Sequence, residues 1–271
     1  MADRKAEHGS VDGLDVRGIG VVIDDRRIVE DISLRVAGGE VVGVVGPNGC
    51  GKTTLLKAVY KVLSPVNGQV TLNGMDVLRE RPAVVARHLA VVSQFQQMDF
   101  DLTVEQMVGL GRAPYQRILE SSGRKDRRMV QDALGAVGLS GAVHHSLHSL
   151  SGGERQRVAL ARAMVQDAEF MILDEPTNHL DVRHQLEVLD VVRDLGIGVL
   201  AALHDLHLAA RFCDEVCVMA AGQLVARGRP SDVLTAELVS RIYDVDCVTY
   251  TDPRGYLDFS YARTGEKGGR R

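Results

Sequence analysis

The sequence predicts an α/β fold, a mainly parallel sheet flanked by helices and interrupted by a helical insertion. Three observations carry this reading. Short uncharged apolar runs, VVGVV at 41–45, FMIL at 170–173 and GVLAAL at 198–203, suit strands buried on both faces. Amphipathic stretches alternate with them, as in DVRHQLEVLDVVRDLG at 181–196. Residues 97–160 read as helical and polar, which marks them as an inserted subdomain.

Taken in order, residues 1–12 are polar and patternless and are expected to be disordered. The main domain is expected over 13–250. Residues 14–36 are strand-like, with Ile32, Leu34 and Val36 alternating against Ser33 and Arg35, and the AGGE turn at 37–40 leads into VVGVV. GPNGCGKTTLLKAVYKVL, 46–63, reads as a loop and then a helix stopped by Pro65, and QVTLNG, 69–74, as a strand. In the insertion, Thr103 and Ser140 are candidate helix caps. After the 181–196 helix come GVLAALH as a strand, DLHLAARFC as a helix and EVCVM as a strand. The tail, 251–271, shows little pattern beyond one strand-like stretch.

At 271 residues, 45% hydrophobic and 25% charged, the composition is that of a soluble globular protein with a sizeable core. With 32 basic and 36 acidic residues the formal net charge is −4, so no nucleic-acid partner is expected, and Arg124, Lys125, Arg127 and Arg128 read as a solvated helix face. Cys50, Cys213, Cys217 and Cys247 lack the paired spacing of a zinc site and suit a reducing compartment. His144, His145 and His148 have no companions at metal-ligand spacing. No apolar run is long enough to span a bilayer, so a cytoplasmic location is expected, with any membrane role exerted through a partner.

Gly46-Pro47-Asn48-Gly49-Cys50-Gly51-Lys52-Thr53 fits G-x-x-x-x-G-K-[ST], between an expected strand and an expected helix, and Thr54 is counted with it among the nucleotide-binding residues. Glycines let backbone N–H groups wrap a phosphate, the helix start adds its dipole, Lys52 offsets the β/γ charge and the Thr53 hydroxyl can sit on Mg²⁺. The run ending in Asp174-Glu175 delivers two carboxylates at a strand's C-terminal end, where parallel sheets bind ligands. Asp174 would organise the Mg²⁺ shell and Glu175 could polarise an attacking water; taken alone, Glu175 is equally a helix-start acid favoured by the dipole. His204 ends the next strand, within reach of the same phosphate, although a strand-end histidine is by itself more often a rim residue. A second Gly pair at a helix start, in LSGGERQRVALARA at 150–163, offers bare N–H groups to another anion.

In this order the elements resemble the nucleotide-binding subunit of an ABC transporter, over about residues 14–250. The resemblance implies the ABC ATPase fold: a phosphate-loop core, an N-terminal antiparallel β subdomain and the helical subdomain at about 97–160. It implies ATP hydrolysis with Mg²⁺ and a catalytic set of Glu175, His204 and Lys52, with His204 as a switch on the γ-phosphate. LSGGE at 150–154 becomes the signature motif, whose Ser151, Gly152 and Gly153 bind ATP held by the other subunit. Two ATPs would thus be sandwiched in a homodimer or with a paired ABC ATPase. Gln94 becomes the glutamine that touches Mg²⁺ and senses the permease, joining Thr53 and Asp174 as metal-site residues, and Asp181 faces the partner's site. The implied partners are a multi-helix membrane permease and, indirectly, an extracytoplasmic binding protein, with the chain held peripherally at the cytoplasmic face of the membrane.

The sequence departs from the family at two places. Ile23 falls where the family places an aromatic to stack on adenine, which leaves ATP-versus-GTP preference open, and Cys50 stands inside the phosphate loop, as a reactive thiol or a small filler. GRAPY at 111–115, DEPTNHLDVRHQ at 174–185 and HDLHLAARFCDEV at 204–216 are most similar to ATPases of importers for ferric siderophores, haem and vitamin B12. The alternatives are an importer for another substrate, an ABC ATPase of an assembly or translation system, and a module that holds ATP without cleaving it.

Overall fold

Apolar alternation in the first third of the chain builds a curved antiparallel sheet. In the computed structural model, which describes residues 13–93, 102–115, 123–178 and 180–264, strands β1 (Gly13–Ile23) and β2 (Arg26–Ala37) form a hairpin. Asp24 and Asp25 turn it with φ 47° and 61°, the left-handed pair a two-residue hairpin turn requires. The apolar run becomes β3 (Val41–Val45), followed by the loop and α1 (Lys52–Val59). That helix ends well before Pro65, because Lys61 adopts a left-handed φ of 65°.

Next come β4 (Asn67–Leu72), β5 (Met75–Asp76), α2 (Pro82–Val85) and β6 (Leu89–Val92). The insertion supplies α3 (Val104–Gly109), a 3₁₀ turn over Leu110–Tyr115, α4 (Arg124–Ala136) and α5 (Gly152–Met164). Thr103 caps α3 in a reciprocal box with Gln106, whereas Ser140 caps nothing and opens a short 3₁₀ turn after Leu139. Then follow β7 (Phe170–Asp174), α6 (Val182–Asp194), β8 (Gly198–Ala202), α7 (Leu206–Phe212), β9 (Glu215–Ala220), β10 (Gln223–Gly228), α8 (Pro230–Val233) and α9 (Ala236–Tyr243). A hairpin of β11 (Val245–Thr251) and β12 (Leu257–Arg263) follows.

The N-terminal sheet has the order β2-β1-β4-β5 and is antiparallel throughout. The central sheet has the order β10-β9-β3-β8-β7-β6, parallel except for β10 at its edge. Its strands sort their side chains with period two. Val42, Val44, Phe170, Ile172, Leu200 and Ala202 pack toward the N-terminal sheet and α1, while Met171, Leu173, Val199 and Ala201 pack toward the helical insertion. Each face thus has its own core, and the sheet is apolar on both sides, as a central parallel sheet must be.

Leu173 is fully buried in the core that joins the sheet to α3, α4 and α5. Leu173→Ala is expected to cost about 2–5 kcal/mol of stability, seen as a lower urea midpoint with an unchanged slope.

Candidate functional site

The register of the parallel strands fixes where the site forms. Val44 of β3 and Asp174 of β7 both pair with Ala202 of β8, so β7 and β8 end on one rung and β3 ends one residue beyond it, at Val45. Beyond that rung the chain continues into Gly46 from β3, Glu175 from β7 and His204 from β8. The loop, the second acid and the histidine meet because three neighbouring strands stop within a residue of one another.

The loop returns tightly to α1. A Cβ at Gly46, where φ is 151°, would lie 2.1 Å from the Met219 carbonyl oxygen, and Gly51 holds φ 106° as N-cap. No side chain caps α1 and no acid stands in its first turn, so its leading N–H groups keep their capacity for an anion. Lys52 is 4% exposed, and its Nζ donates to the carbonyl oxygens of Gly46 at 2.7 Å and Pro47 at 3.2 Å. Among the described residues no carboxylate pairs with this buried ammonium. A buried cation held only by neutral carbonyls calls for an anionic ligand. Cys50 is buried within the loop, and burial pushes its thiol pKa up, which disfavours the reactive thiolate.

The Thr53 hydroxyl donates to Asp174 Oδ1 at 2.9 Å. Asp174 is 5% exposed, and burial raises its pKa against the lowering effect of the Thr53 bond. A hydroxyl and a buried carboxylate side by side are the hard oxygen donors a Mg²⁺ site uses, so this pair fits the ion. Glu175 sits at φ 56°, an uncommon conformation for a residue with a Cβ, and its N–H donates to the Ala202 carbonyl at 3.2 Å. Its carboxylate accepts from Asn178 Nδ2 at 2.5 Å and pairs with His204 Nε2. The strained backbone therefore turns the carboxylate away from the strand and toward the histidine.

These groups surround a cavity of about 540 Å³ lined by Asn48, Gly49, Gly51, Lys52, Thr53, Thr54, Glu175 and His204, with Ile28 at its rim. Ile28, and not Ile23, lines it; Ile23 is exposed at the end of β1. An adjoining cavity of about 560 Å³ shares Asn48 and His204 and adds Gly46, Pro47, Asn178 and Tyr243. Burial raises the pKa of the Tyr243 phenol, so it stands beside Gly46 as a neutral group.

Ile28, Asn178 and Tyr243 line these cavities without being marked by any motif. Asn178 has a local signal, its spacing of three from Glu175 within a turn, whereas Ile28 and Tyr243 reach the site only through tertiary packing. Ser151, Gly152 and Gly153 lie apart from both cavities. Ser151 caps α5 in a reciprocal box with Glu154, whose pKa falls because the Ser151 hydroxyl and N–H both donate to it. Asp181 caps α6, also away from the cavities, and its pKa is lowered chiefly by the His184 N–H. Gln94 lies outside the described residues.

A phosphate loop between a strand and a helix, with a strand-end acid bonded to the loop threonine, defines a nucleoside triphosphatase of the phosphate-loop class. Residues 29–178 match the ABC transporter family model, and the chain belongs to that family. It binds and hydrolyses ATP. It is 40% identical over 230 residues to the achromobactin transport ATP-binding protein CbrD of Dickeya dadantii, covering 83% of this chain and 86% of that one. It is 42% identical over 244 residues to the cobalamin import ATP-binding protein BtuD of Halobacterium salinarum, covering 89% of this chain but only 61% of that longer protein. The ferric enterobactin transport ATP-binding protein FepC of Escherichia coli is 34% identical, with 83% and 85% covered. Among solved structures, cbiO1 of Clostridium perfringens, part of the ABC transporter complex cbiONQ, superposes with a TM-score of 0.72 at 27% identity, covering 84% of this chain and 92% of that one.

Because burial raises the Asp174 pKa, the ionised carboxylate costs the folded chain stability at any pH above its unfolded value. Asp174→Asn keeps an acceptor for Thr53 and removes that cost. Its melting temperature without nucleotide is expected to rise, by roughly 2–4 °C per kcal/mol relieved, while ATP hydrolysis is lost. A fall in melting temperature would contradict the burial argument.

Proposed function

We propose that this chain is the ATP-driven subunit of an importer, energising a separate multi-helix permease for ferric siderophore, haem or cobalamin. The observation that carries the nucleotide half of this reading is Lys52, a buried ammonium at the head of an uncapped helix with no carboxylate partner among the described residues. The substrate class rests on relatives named for achromobactin, cobalamin and ferric enterobactin. Among the described residues no helix is long and apolar enough to cross a membrane, so the membrane path belongs to the permease. Selectivity would then lie in the permease and in an extracytoplasmic binding protein.

In the proposed mechanism the loop N–H groups of 46–54 and the Lys52 ammonium hold the β- and γ-phosphates. Thr53 and Asp174, with Gln94, would hold Mg²⁺, which would supply charge neutralisation on the phosphates. Glu175 accepts hydrogen bonds from Asn178 and pairs with His204, which together aim its carboxylate at a water in the cavity. Glu175 takes the water proton as the oxygen attacks the γ-phosphorus, and the bond to the bridging oxygen breaks with its electron pair leaving on ADP. The proton then passes to the released phosphate.

Ser151, Gly152 and Gly153 lie away from their own chain's cavity and are exposed or half-buried, so their proposed ligand is the γ-phosphate held by a second copy or a paired ATPase. Asp181 caps the helix facing the same partner. Closure around two ATPs, transmitted through the Gln94 region and the helical insertion, drives the permease, and hydrolysis reopens the pair.

Glu175→Gln is expected to lower hydrolysis by about 10²–10⁴-fold while ATP still binds, and to trap a dimer that elutes early in size exclusion with ATP. Normal hydrolysis by this variant removes Glu175 as the base. Ser151→Arg is expected to suppress hydrolysis without releasing ATP. If both Ser151→Arg and Lys52→Ala chains hydrolyse ATP at the unmodified rate, the shared-site arrangement is wrong.

A further inference from the structure

The GRAPY stretch, 111–115, contributes nothing to either cavity, yet it is organised around a single object, the C-terminal end of α5. Arg112 is only 7% exposed. Its Nε donates to Asp126 Oδ1 of α4 at 3.0 Å, and its Nη1 donates at 2.9 Å to the carbonyl oxygen of Val165, the C-cap of α5. The guanidinium also lies 4.2 Å from the centroid of the Tyr115 ring.

Gly111 lets the backbone come this close. A Cβ there would fall 2.1 Å from the Arg162 carbonyl oxygen and 2.6 Å from Val165 Cγ2, both in the last turn of α5 or at its cap. Tyr115 and Pro114 extend the contact to the sheet: the Tyr115 hydroxyl donates to the Arg87 carbonyl at 3.1 Å, and Arg87 Nε donates back to the Pro114 carbonyl at 2.9 Å. Just past the helix, Gln166 Nε2 donates at 2.9 Å to the carbonyl of Leu89, the first residue of β6.

The last carbonyls of a helix lack partners within it and attract cations. Here a buried arginine, itself satisfied by a carboxylate and flattened on a ring, occupies that position. Such a fork fixes direction as well as charge, which a lysine would not do. At 1.5 Å per residue the 13 residues of α5 make a rod about 20 Å long, and its other end carries Ser151, Gly152 and Gly153. Packed along its length through buried Val158, Leu160 and Ala161 and pinned at its C-terminal end, the rod presents the other end at a fixed angle.

We propose that Arg112 is a positioning residue for ATP hydrolysis. It anchors the C-terminal turn of α5 to α4 and to the β6 edge, so that the Ser151–Gly153 end meets the phosphates of the paired subunit in register. This rests on the shared-site arrangement proposed above.

The test is Arg112→Gln in the full chain, assayed for steady-state hydrolysis and for binding of ATP carrying an N-methylanthraniloyl fluorophore. Misplacing the signature end is expected to lower kcat by roughly tenfold to a hundredfold, with the KM for ATP and the fluorophore's Kd unchanged, because the chain's own cavity is untouched. Asp126→Asn, which keeps the shape but removes the ion pair, is expected to act in the same direction by less, and it carries the test if Arg112→Gln does not fold. An unchanged kcat in folded variants overturns the proposal, as does a loss of fluorophore binding that matches the loss of kcat. Ser151→Arg is run alongside. If it abolishes hydrolysis while the Arg112 and Asp126 variants are normal, only the anchor is wrong; if it too is without effect, the shared site fails and the anchor's role with it.

Discussion

The site depends on one constraint, the common register of three parallel strands. β8 and β7 end on the rung that joins Val44, Ala202 and Asp174, β3 ends one residue later at Val45, and each then leaves the sheet in its own way. β3 opens into a glycine loop, β7 turns sharply at a left-handed Glu175, and β8 runs on to His204. Had one strand slipped by a single residue, its side chains would have exchanged faces and its terminal group would point into a core. The two cores, one on each side of the sheet, hold that register.

Charge is disposed around this frame with little slack. Lys52 is buried with carbonyl partners and, among the described residues, no carboxylate, and Asp174 is buried against the Thr53 hydroxyl with its ionised form disfavoured. Each is uncomfortable alone, and a triphosphate with a divalent cation would relieve both, giving the cation an anion and the carboxylate a metal. Binding and folding stability are thereby linked, since a ligand that favours the folded state adds to its stability by mass action.

Much of this was legible in the sequence because it is local. The phosphate loop, the strand ending in Asp174-Glu175, the Gly pair at the start of α5 and the alternation of strand and helix each occupy a short stretch of sequence, although the Ser151–Glu154 box that caps α5 shows only in the structure. What escaped was assembled from distant segments. Ile28 lies at the cavity rim because the N-terminal sheet packs beside the loop, and Tyr243 arrives from the end of α9. The sequence shows one strand-like stretch in 251–271 but not the pairing of β11 with β12, because the hairpin's inward set is small: Cys247 and Phe259 are buried while Val248, Tyr250 and Tyr261 are exposed. Ser140 misled as a cap because α4 had already ended at Ala136 and the chain there needs only a tight turn.

The position of β3 also dictates a sequence of events during synthesis. This apolar strand carries the phosphate loop and emerges early, but both of its neighbours, β8 and β9, come from the last third of the chain. Until they are made, VVGVV has no strand beside it and the loop has no floor, so the nascent protein carries a sticky, unpaired edge for most of its translation. Such non-local pairing makes assembly slow relative to helix formation. The floor of the nucleotide site is therefore complete only once β8 and β9 have joined β3 in the sheet.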